Sequence, residues 1–219
     1  MNDCCAPRTP RDYDRAFNDR FARDLARDYR RRGLTAQEQR IVDFASTAGL
    51  DGATVLEVGG GIGAIQLELL KRGAAHATNL ELSPSYEAEA TRLLDEAGLR
   101  ERSNRMLGVD LAVADDDLVE PADIVVLHRV VCCYPDYDRL LSAAARHATR
   151  AVVFTHPPRN LLSGFGVRLA NTFERIIRSD YRAFVHPPEA MLSVLERDGL
   201  TPTYRRREGF WLVVGATRD

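Results

Sequence analysis

The chain has 219 residues and a formal net charge of −2, with 45% apolar and 28% charged residues. This composition is typical of a globular protein, and no apolar run approaches the length of a membrane span. The length is sufficient for one full α/β domain but too short for a nucleotide-binding domain plus a separate substrate domain, which argues against most dehydrogenases.

The basic and thiol-bearing residues predict neither a nucleic-acid surface nor a metal centre. Arginines between residues 8 and 32 alternate with aspartates, which is typical of a solvated helix face. The cysteines form two adjacent pairs, Cys4–Cys5 and Cys132–Cys133, without the CxxC spacing of zinc sites, so we expect free thiols and no metal. The first residues lack the apolar core of a signal peptide, which predicts a cytoplasmic protein. The expected partner is a small molecule, with no nucleic acid and no membrane, and the oligomeric state is not predicted.

Two helices are predicted ahead of the first strand. Residues 13–32 carry apolar side chains at four-residue spacing on one helix face, namely Phe17, Phe21, Leu25 and Tyr29. Residues 35–48 predict a second helix, which begins with a capping box formed by Thr35 and Glu38. We therefore expect residues 1–50 to form a helical cap or lid and residues 51–219 to form the main part of a single domain.

The segment from residue 55 to residue 70 is the most informative about function. A short β-branched strand over residues 55–58 runs into Gly59-Gly60-Gly61-Ile62-Gly63, and a helical pattern follows from Ala64. Such a turn presents bare backbone and a helix N-terminus to a nucleotide-like ligand. The spacing fits both the dinucleotide fingerprint and the first motif of S-adenosylmethionine methyltransferases. We interpret Gly60 as turn geometry alone.

Two carboxylates near this loop favour one of the two cofactors. Glu57 lies two residues before the first glycine, where it can accept hydrogen bonds from an ammonium group. S-adenosylmethionine has such a group, whereas NAD would place phosphates there. Glu81 ends the strand predicted over residues 77–82, where a carboxylate can accept both ribose hydroxyls of either cofactor. Glu57 therefore predicts S-adenosylmethionine, and Glu81 supports a nucleoside without distinguishing the two cofactors.

The rest of the chain alternates strand and helix patterns, which predicts parallel βαβ winding. The C-terminal part ends in two strand patterns separated by Glu208-Gly209, which predicts a hairpin. The predicted strands after residue 82 cover residues 104–109, 123–127, 151–155, 201–207 and 210–216. The predicted helices cover residues 84–97, 135–148, 160–178 and 188–197.

Residues 54–217 resemble the class I S-adenosylmethionine-dependent methyltransferases, through the pattern Glu57-x-Gly59-x-Gly61-x-Gly63 and the terminal hairpin. The resemblance implies an α/β, Rossmann-like fold. Its seven-stranded sheet is mostly parallel with a C-terminal antiparallel hairpin, and it has helices on both faces and an N-terminal helical lid. By the same resemblance, Asp110 contacts the adenine amino group. The predicted cofactor-binding residues are Glu57, Gly59, Gly61, Gly63, Glu81, Leu82, Asp110, Leu111 and His128.

Within this superfamily, the string Asp123–Pro135 is similar to the fourth-strand region of the magnesium-protoporphyrin IX methyltransferases and their small-molecule relatives. The N-terminal helices are similar to the lid over the active site of those enzymes. The sequence departs from them immediately before Tyr134-Pro135, where they carry a histidine and this chain has Cys133. This departure argues against a porphyrin as the acceptor.

The candidate catalytic residues follow predicted strands. In open α/β sheets the ligand lies at the carboxyl ends of the strands, where His128 follows the fourth strand and His156 the fifth. A histidine can act as a base at neutral pH, which a hydroxyl acceptor needs, whereas a carboxylate acceptor needs only orientation. Tyr29 is a candidate lid residue over the substrate. Arg129 and Arg159 are candidates to clamp an acidic acceptor.

The sequence thus predicts an enzyme that moves the methyl group of S-adenosylmethionine to an oxygen, hydroxyl or carboxylate, of a small molecule. One alternative is a thiol-dependent methyltransferase for a metalloid, because the thiolates of Cys132 and Cys133 would prefer soft centres. A second is a protein that binds S-adenosylmethionine without catalysis, since fold does not determine function. A third is a nicotinamide oxidoreductase.

Overall fold

The computed structural model describes residues 17–115, 117–176 and 182–218. Cys4, Cys5, the predicted start of the first helix and residues 177–178 of the helix predicted over 160–178 lie outside these residues. The strands are β1 (Thr54–Val58), β2 (His76–Glu81), β3 (Ser103–Leu107), β4 (Ala122–Leu127), β5 (Ala148–His156), β6 (Thr201–Glu208) and β7 (Trp211–Thr217). The helices are α1 (Asp19–Arg32), α2 (Ala36–Thr47), α3 (Ala64–Lys71), α4 (Glu87–Ala97), α5 (Tyr137–His147), α6 (Leu161–Ile176) and α7 (Pro188–Arg197).

The strands form one mixed sheet in the order β3-β2-β1-β4-β5-β7-β6. Strands β1 to β5 run parallel to one another, and β7 runs antiparallel to both β5 and β6. The order reverses direction between β1 and β4, which is the position where open α/β sheets bind ligands. The predicted Rossmann-like sheet with its C-terminal hairpin is confirmed.

The sheet is covered by helices on both faces. Leu56 and Val58 of β1 pack into a core with α5 and α7, and Val55 packs into a second core with α2 and α3. The buried, nearly continuous apolar character of β1 and β4 is typical of parallel strands that are covered on both faces. No helix in the described part of the chain is long and apolar enough to cross a membrane.

The two N-terminal helices differ in how deeply they are buried. Helix α2 begins at the predicted capping box of Thr35 and Glu38, and it buries Ile41 and Phe44 in the core against β5 and β7. Helix α1 buries only small residues, Ala22 and Ala26, and lies against α4. The second helix is therefore part of the main core, and the first is a layer laid over it.

Strand β3 ends at Leu107, two residues before the predicted end. Gly108 follows with a φ of 74°, a left-handed conformation that leaves the extended region of the strand. The backbone nitrogen of Gly108 donates to the carbonyl of Glu81 at 2.8 Å. The chain therefore turns at Gly108 and brings residues 109–111 to the carboxyl edge of the sheet.

Candidate active site

The loop between β1 and α3 leaves the sheet at its carboxyl edge. Gly59 and Gly61 have φ values of 63° and 56°, which lie in the left-handed region that favours glycine. Gly63 caps the N-terminus of α3. The loop therefore folds tightly enough to start a helix directly after a strand, and its backbone faces a cavity.

Gly60 has a role beyond turn geometry, which its position in the sequence does not reveal. A Cβ atom at this position would lie 2.6 Å from Cδ of Glu57 and would also contact the side-chain amide of Asn79. A carbon cannot be placed that close to another heavy atom, so the position requires the absence of a side chain. The relevant sequence signal is Glu57, a buried carboxyl three residues before the glycine.

Glu57 lies buried beneath the loop. Its Oε2 accepts hydrogen bonds from the backbone nitrogen of Gln66 at 3.2 Å and from Nδ2 of Asn79 at 3.3 Å. Burial raises the pKa of this carboxyl to about 8, although the Gln66 hydrogen bond and the charge of Arg105 act against the rise. The carboxyl therefore retains a proton at neutral pH.

Glu81 connects the end of β2 to the loop. One carboxylate oxygen accepts from the backbone nitrogen of Gly61 at 2.8 Å, and the other accepts from the backbone nitrogen of Ser83 at 2.9 Å. Burial raises the pKa of Glu81, and these backbone hydrogen bonds oppose the rise. Each oxygen keeps a further lone pair with which it can accept a hydrogen bond from a ligand.

Arg105, which the sequence analysis also missed, holds the same loop from β3. Its Nη2 donates to the carbonyl of Gly61 at 3.0 Å, and its Nε donates to Glu87 at 2.9 Å. Its side chain is only 7% exposed. The nitrogen and the carbonyl of Gly61 are thus each bound by a charged side chain from a neighbouring strand, and this fixes the orientation of the loop.

A cavity of about 640 Å³ opens beside the loop, within the usual size range of small-molecule sites. One group of its lining residues comes from the loop and the strand ends, and we call it the loop side. A second group comes from α1 and the segment just before it, the α1–α2 connection, the end of β4 and the start of β7, and we call it the wall side. The loop side comprises Glu57, Gly59, Gly60, Gly61, Glu81, Leu82, Asp110, Leu111 and His128, and the wall side comprises Phe17, Phe21, Leu25, Leu34, Arg129 and Trp211.

The cavity thus brings together eight of the nine predicted cofactor-binding residues. Gly63, the N-cap residue of α3, does not line the cavity. Asp110 is half-buried, and its carboxylate accepts from the backbone nitrogen of Ala112 and from the hydroxyl of Tyr134, both at 3.0 Å. Its position beside Leu111 results from the turn at Gly108.

The two candidate histidines lie in different surroundings. His128 lines the cavity with its Nδ1 3.2 Å from Oγ1 of Thr155, and burial together with the charge of Arg129 lowers its pKa to about 3. His156 does not line the cavity, because its Nδ1 bonds to the carbonyl of Pro157 at 2.9 Å and its ring stacks on Phe154. Burial lowers the pKa of His156 as well. The low pKa makes His128 a weak base for an acceptor in the cavity, and His156 lies away from the cavity.

Tyr29 lines the cavity, but its hydroxyl is not free. The hydroxyl donates to Oε1 of Glu68 at 2.5 Å and accepts from Nζ of Lys71 at 3.2 Å. Burial and the Glu68 carboxylate raise the pKa of the phenol to about 12. Tyr29 therefore ties α1 to α3, which is a structural contact in this conformation.

Of the two candidate clamps, Arg129 lines the cavity and Arg159 does not. The guanidinium of Arg129 stacks over the ring of Trp211 at 5.1 Å.

Cys132 and Cys133 line the cavity beside Arg129, with their sulfur atoms 3.7 Å apart. Their thiols donate to the carbonyl of Arg129 at 3.4 and 3.3 Å. Among the described residues, no group of three or more side chains is arranged to hold a metal ion.

Residues 56–153 match the protein family described as "Methyltransferase domain". These residues, slightly under half of the chain, form a methyltransferase domain with the fold of the class I enzymes. The cofactor of this enzyme is S-adenosylmethionine, as predicted. None of the curated proteins matches the sequence.

Solved structures with the same fold have diverged far from this enzyme in sequence. Magnesium protoporphyrin IX methyltransferase (ChlM) from Synechocystis PCC 6803, solved with bound S-adenosylmethionine, has 19% identity and a TM-score of 0.70, with 100% of both chains covered. An O-methyltransferase family protein from Burkholderia thailandensis has 21% identity and a TM-score of 0.66, covering 93% of this chain and 64% of that one. The [4+2]-cyclase SpnF has 14% identity and a TM-score of 0.64, covering 82% and 80%. At these identities the likeness establishes the fold and leaves the acceptor open.

The residues on the loop side fit the cofactor. The loop presents its backbone to the cavity, the Glu81 carboxylate stands at the end of β2, and the cavity has the size of a small-molecule site. S-adenosylmethionine offers hydroxyl, amino and ammonium donors, and Glu81 and Asp110 offer acceptors for them.

Proposed function

We propose that this methyltransferase transfers the methyl group to an oxygen atom of a small, largely apolar acceptor. The observation that carries the proposal is one continuous cavity that joins polar strand ends to an apolar wall. The loop side offers carboxylates and backbone to a cofactor, and the wall side offers aromatic and aliphatic side chains to an acceptor. Such a cavity brings the two reactants together and excludes water.

The proposed cofactor contacts follow from the positions of the loop-side residues. Glu81 would accept hydrogen bonds from the ribose hydroxyls, and Asp110 would accept one from the adenine amino group, with Leu82 and Leu111 beside them. Glu57 would favour the ammonium end from beneath the loop, because a cation there would stabilise its ionised form. Arg105 acts indirectly, by holding the loop in place.

The acceptor oxygen we propose is a carboxylate oxygen. Neither predicted histidine supports a hydroxyl acceptor, since the pKa of His128 is about 3 and His156 does not line the cavity. When bound, S-adenosylmethionine would supply a methyl group on a positively charged sulfur; a carboxylate oxygen would form the new O–C bond as the C–S bond breaks, with the electron pair remaining on sulfur. No proton is transferred, so the protein needs only to bind and orient the acceptor.

The thiol pair supports a second candidate function, the methylation of a metalloid. Two sulfur atoms 3.7 Å apart in the same cavity could bind a soft centre. However, a hydrogen bond with Cys133 and burial raise the pKa of the Cys132 thiol, which opposes the thiolate form that such binding requires. The same thiols already serve as donors to the carbonyl of Arg129.

The first test is calorimetric titration of the protein with S-adenosylhomocysteine, with NAD titrated in parallel. We expect micromolar binding of S-adenosylhomocysteine alone, at about −8 kcal/mol.

The second experiment uses cofactor with a deuterated methyl group and a panel of aromatic acids, phenols and arsenite, with the products measured by mass spectrometry. Labelled methyl esters support the proposal. Binding without transfer to any member of the panel would favour a non-catalytic binding protein.

Conservative replacement of the thiols separates the two candidate functions. Cys132→Ser and Cys133→Ser keep a hydroxyl donor for the carbonyl of Arg129 but remove the soft ligands. We expect both variants to retain transfer to organic acids. The opposite result has two parts: the native protein methylates arsenite but no organic acid, and both variants lose the transfer to arsenite. This result would contradict our proposal and support the metalloid function.

A further inference from the structure

We propose that Arg129 and Trp211 form a subsite that binds the carboxylate of a planar aromatic acid, and that this acid is the methyl acceptor. The inference rests on the proposed function and adds to it the chemical class of the acceptor and the residue that selects it. Three observations support it. Arg129 has no anionic partner among the described residues, its backbone is held in the left-handed conformation, and its guanidinium stacks on the ring of Trp211.

Among the described residues that line the cavity, one cation has no anionic partner. Two of these residues are arginines, and one of them, Arg32, pairs with Asp28 at 3.5 Å. Glu38 is also occupied, because its carboxylate accepts from the backbone nitrogen and the hydroxyl of Thr35. The guanidinium of Arg129 has no carboxylate and no hydrogen-bond acceptor among the residues that the structure describes. An anionic acceptor would supply the missing partner.

The backbone of Arg129 is held in an unusual conformation. Its φ is 59°, and it is the one residue other than glycine in the left-handed region over the described ranges. This conformation costs an arginine about 1 to 2 kcal/mol. It is held from both sides, because the backbone nitrogen donates to Oγ1 of Thr155 at 2.8 Å and the carbonyl accepts from both adjacent thiols. Strain that neighbouring side chains maintain is characteristic of functional positions.

Trp211 determines the shape of acceptor that fits. The guanidinium lies 5.1 Å from the centre of the indole ring, so its flat face is supported and its edges are free to donate. Phe17 and Phe21 line the same cavity with their rings 6.0 Å apart. A planar acid can therefore place its carboxylate on Arg129 and its ring among aromatic side chains. A guanidinium binds a carboxylate through two parallel hydrogen bonds, and it gives no such pair to a neutral amide.

The test compares acids with their neutral amides on the complex of the protein with S-adenosylhomocysteine. The probes are benzoate, cinnamate and naphthoate, each paired with its carboxamide, and binding is measured by calorimetry. At least one acid should bind tighter than its amide by about tenfold or more, the size expected for charge-assisted hydrogen bonds. Arg129→Gln should abolish that preference, and Arg129→Lys should retain part of it. Arg159→Gln is the matched control and should behave as the native protein, because Arg159 lies outside the cavity.

The outcomes separate this inference from the proposed function. If no acid of the panel binds better than its amide, or if Arg129→Gln keeps the preference, the subsite is wrong even when S-adenosylhomocysteine binds normally. If the native protein does not bind S-adenosylhomocysteine, the proposed function itself fails. A preference that Arg129→Gln abolishes, with unchanged affinity for S-adenosylhomocysteine in the same variant, assigns the acid specificity to Arg129.

Discussion

The two sides of the cavity are built by different means. The loop side consists of backbone and carboxylates from consecutive strands, braced by Arg105 and Glu81 on the two polar atoms of Gly61. The wall side consists of side chains from segments that are distant along the chain, such as Phe21, Arg129 and Trp211. The loop side therefore suits the cofactor, and the wall side suits the acceptor that we propose.

The substitution with the largest expected effect disrupts the loop side alone. Gly60→Ala should reduce the affinity for S-adenosylhomocysteine by about 2 to 3 kcal/mol or abolish binding, because the new Cβ overlaps the carboxyl of Glu57. Gly164→Ala is the control, since a Cβ in that helix has open space around it. Calorimetry on both variants measures the difference. Normal binding by Gly60→Ala would mean that the loop is not held against Glu57.

A smaller effect on the same side comes from the end of β2. Glu81→Ala should weaken binding of S-adenosylhomocysteine by about 1.5 to 3 kcal/mol, the scale of lost charge-assisted hydrogen bonds. Part of that loss reflects the released nitrogen of Gly61. Glu101→Ala, at an exposed position away from the cavity, should bind as the native protein does. Unchanged affinity in Glu81→Ala would remove this residue from the proposed ribose site.

The buried carboxyl beneath the loop should make stability depend on pH. The pKa of Glu57 is about 8 in the folded protein, against 4.5 for the free group, so the folded state holds the proton more tightly. The contribution of the protonated Glu57 carboxyl to the free energy of unfolding is complete below about pH 4.5. The free energy of unfolding then decreases as the pH rises towards about 8, by on the order of 1 kcal/mol per pH unit. Glu57→Gln should remove this slope. Urea unfolding at several pH values compares the two proteins, and equal slopes would contradict the account.

The smallest effect concerns the wall side and separates strain from charge. Arg129→Gly and Arg129→Ala both remove the guanidinium, but only glycine adopts a φ of 59° without strain. The glycine variant should be more stable than the alanine variant by roughly 0.5 to 1 kcal/mol, and both should lose the preference for acids. Thermal unfolding of the pair gives the difference. A more stable alanine variant would show that this conformation carries no strain.

The difference between the loop side and the wall side also explains which site residues could be predicted from the sequence. The glycines, Glu57 and Glu81 lie within a strand-turn-helix unit and at the next strand end, so local spacing was enough to place them. The roles of Gly60 and Arg105 could not be predicted, because they depend on atoms packed beneath the loop. The spacing of residues along the sequence carries no information about such packing. The stack of Arg129 on Trp211 joins the ends of β4 and β7, and periodicity cannot tell which distant side chains meet. For the same reason the sequence could not separate Arg129 from Arg159, or the cavity-facing His128 from the buried His156.

The most direct test of the central claim uses one acceptor that offers both kinds of oxygen. A hydroxynaphthoate carries a phenol and a carboxylate on the same planar ring, and a single turnover with a deuterated methyl donor marks the oxygen that accepts. We expect the labelled methyl ester in the native protein and its loss in Arg129→Gln. A labelled methyl ether, or an ester yield that Arg129→Gln leaves unchanged, would contradict it.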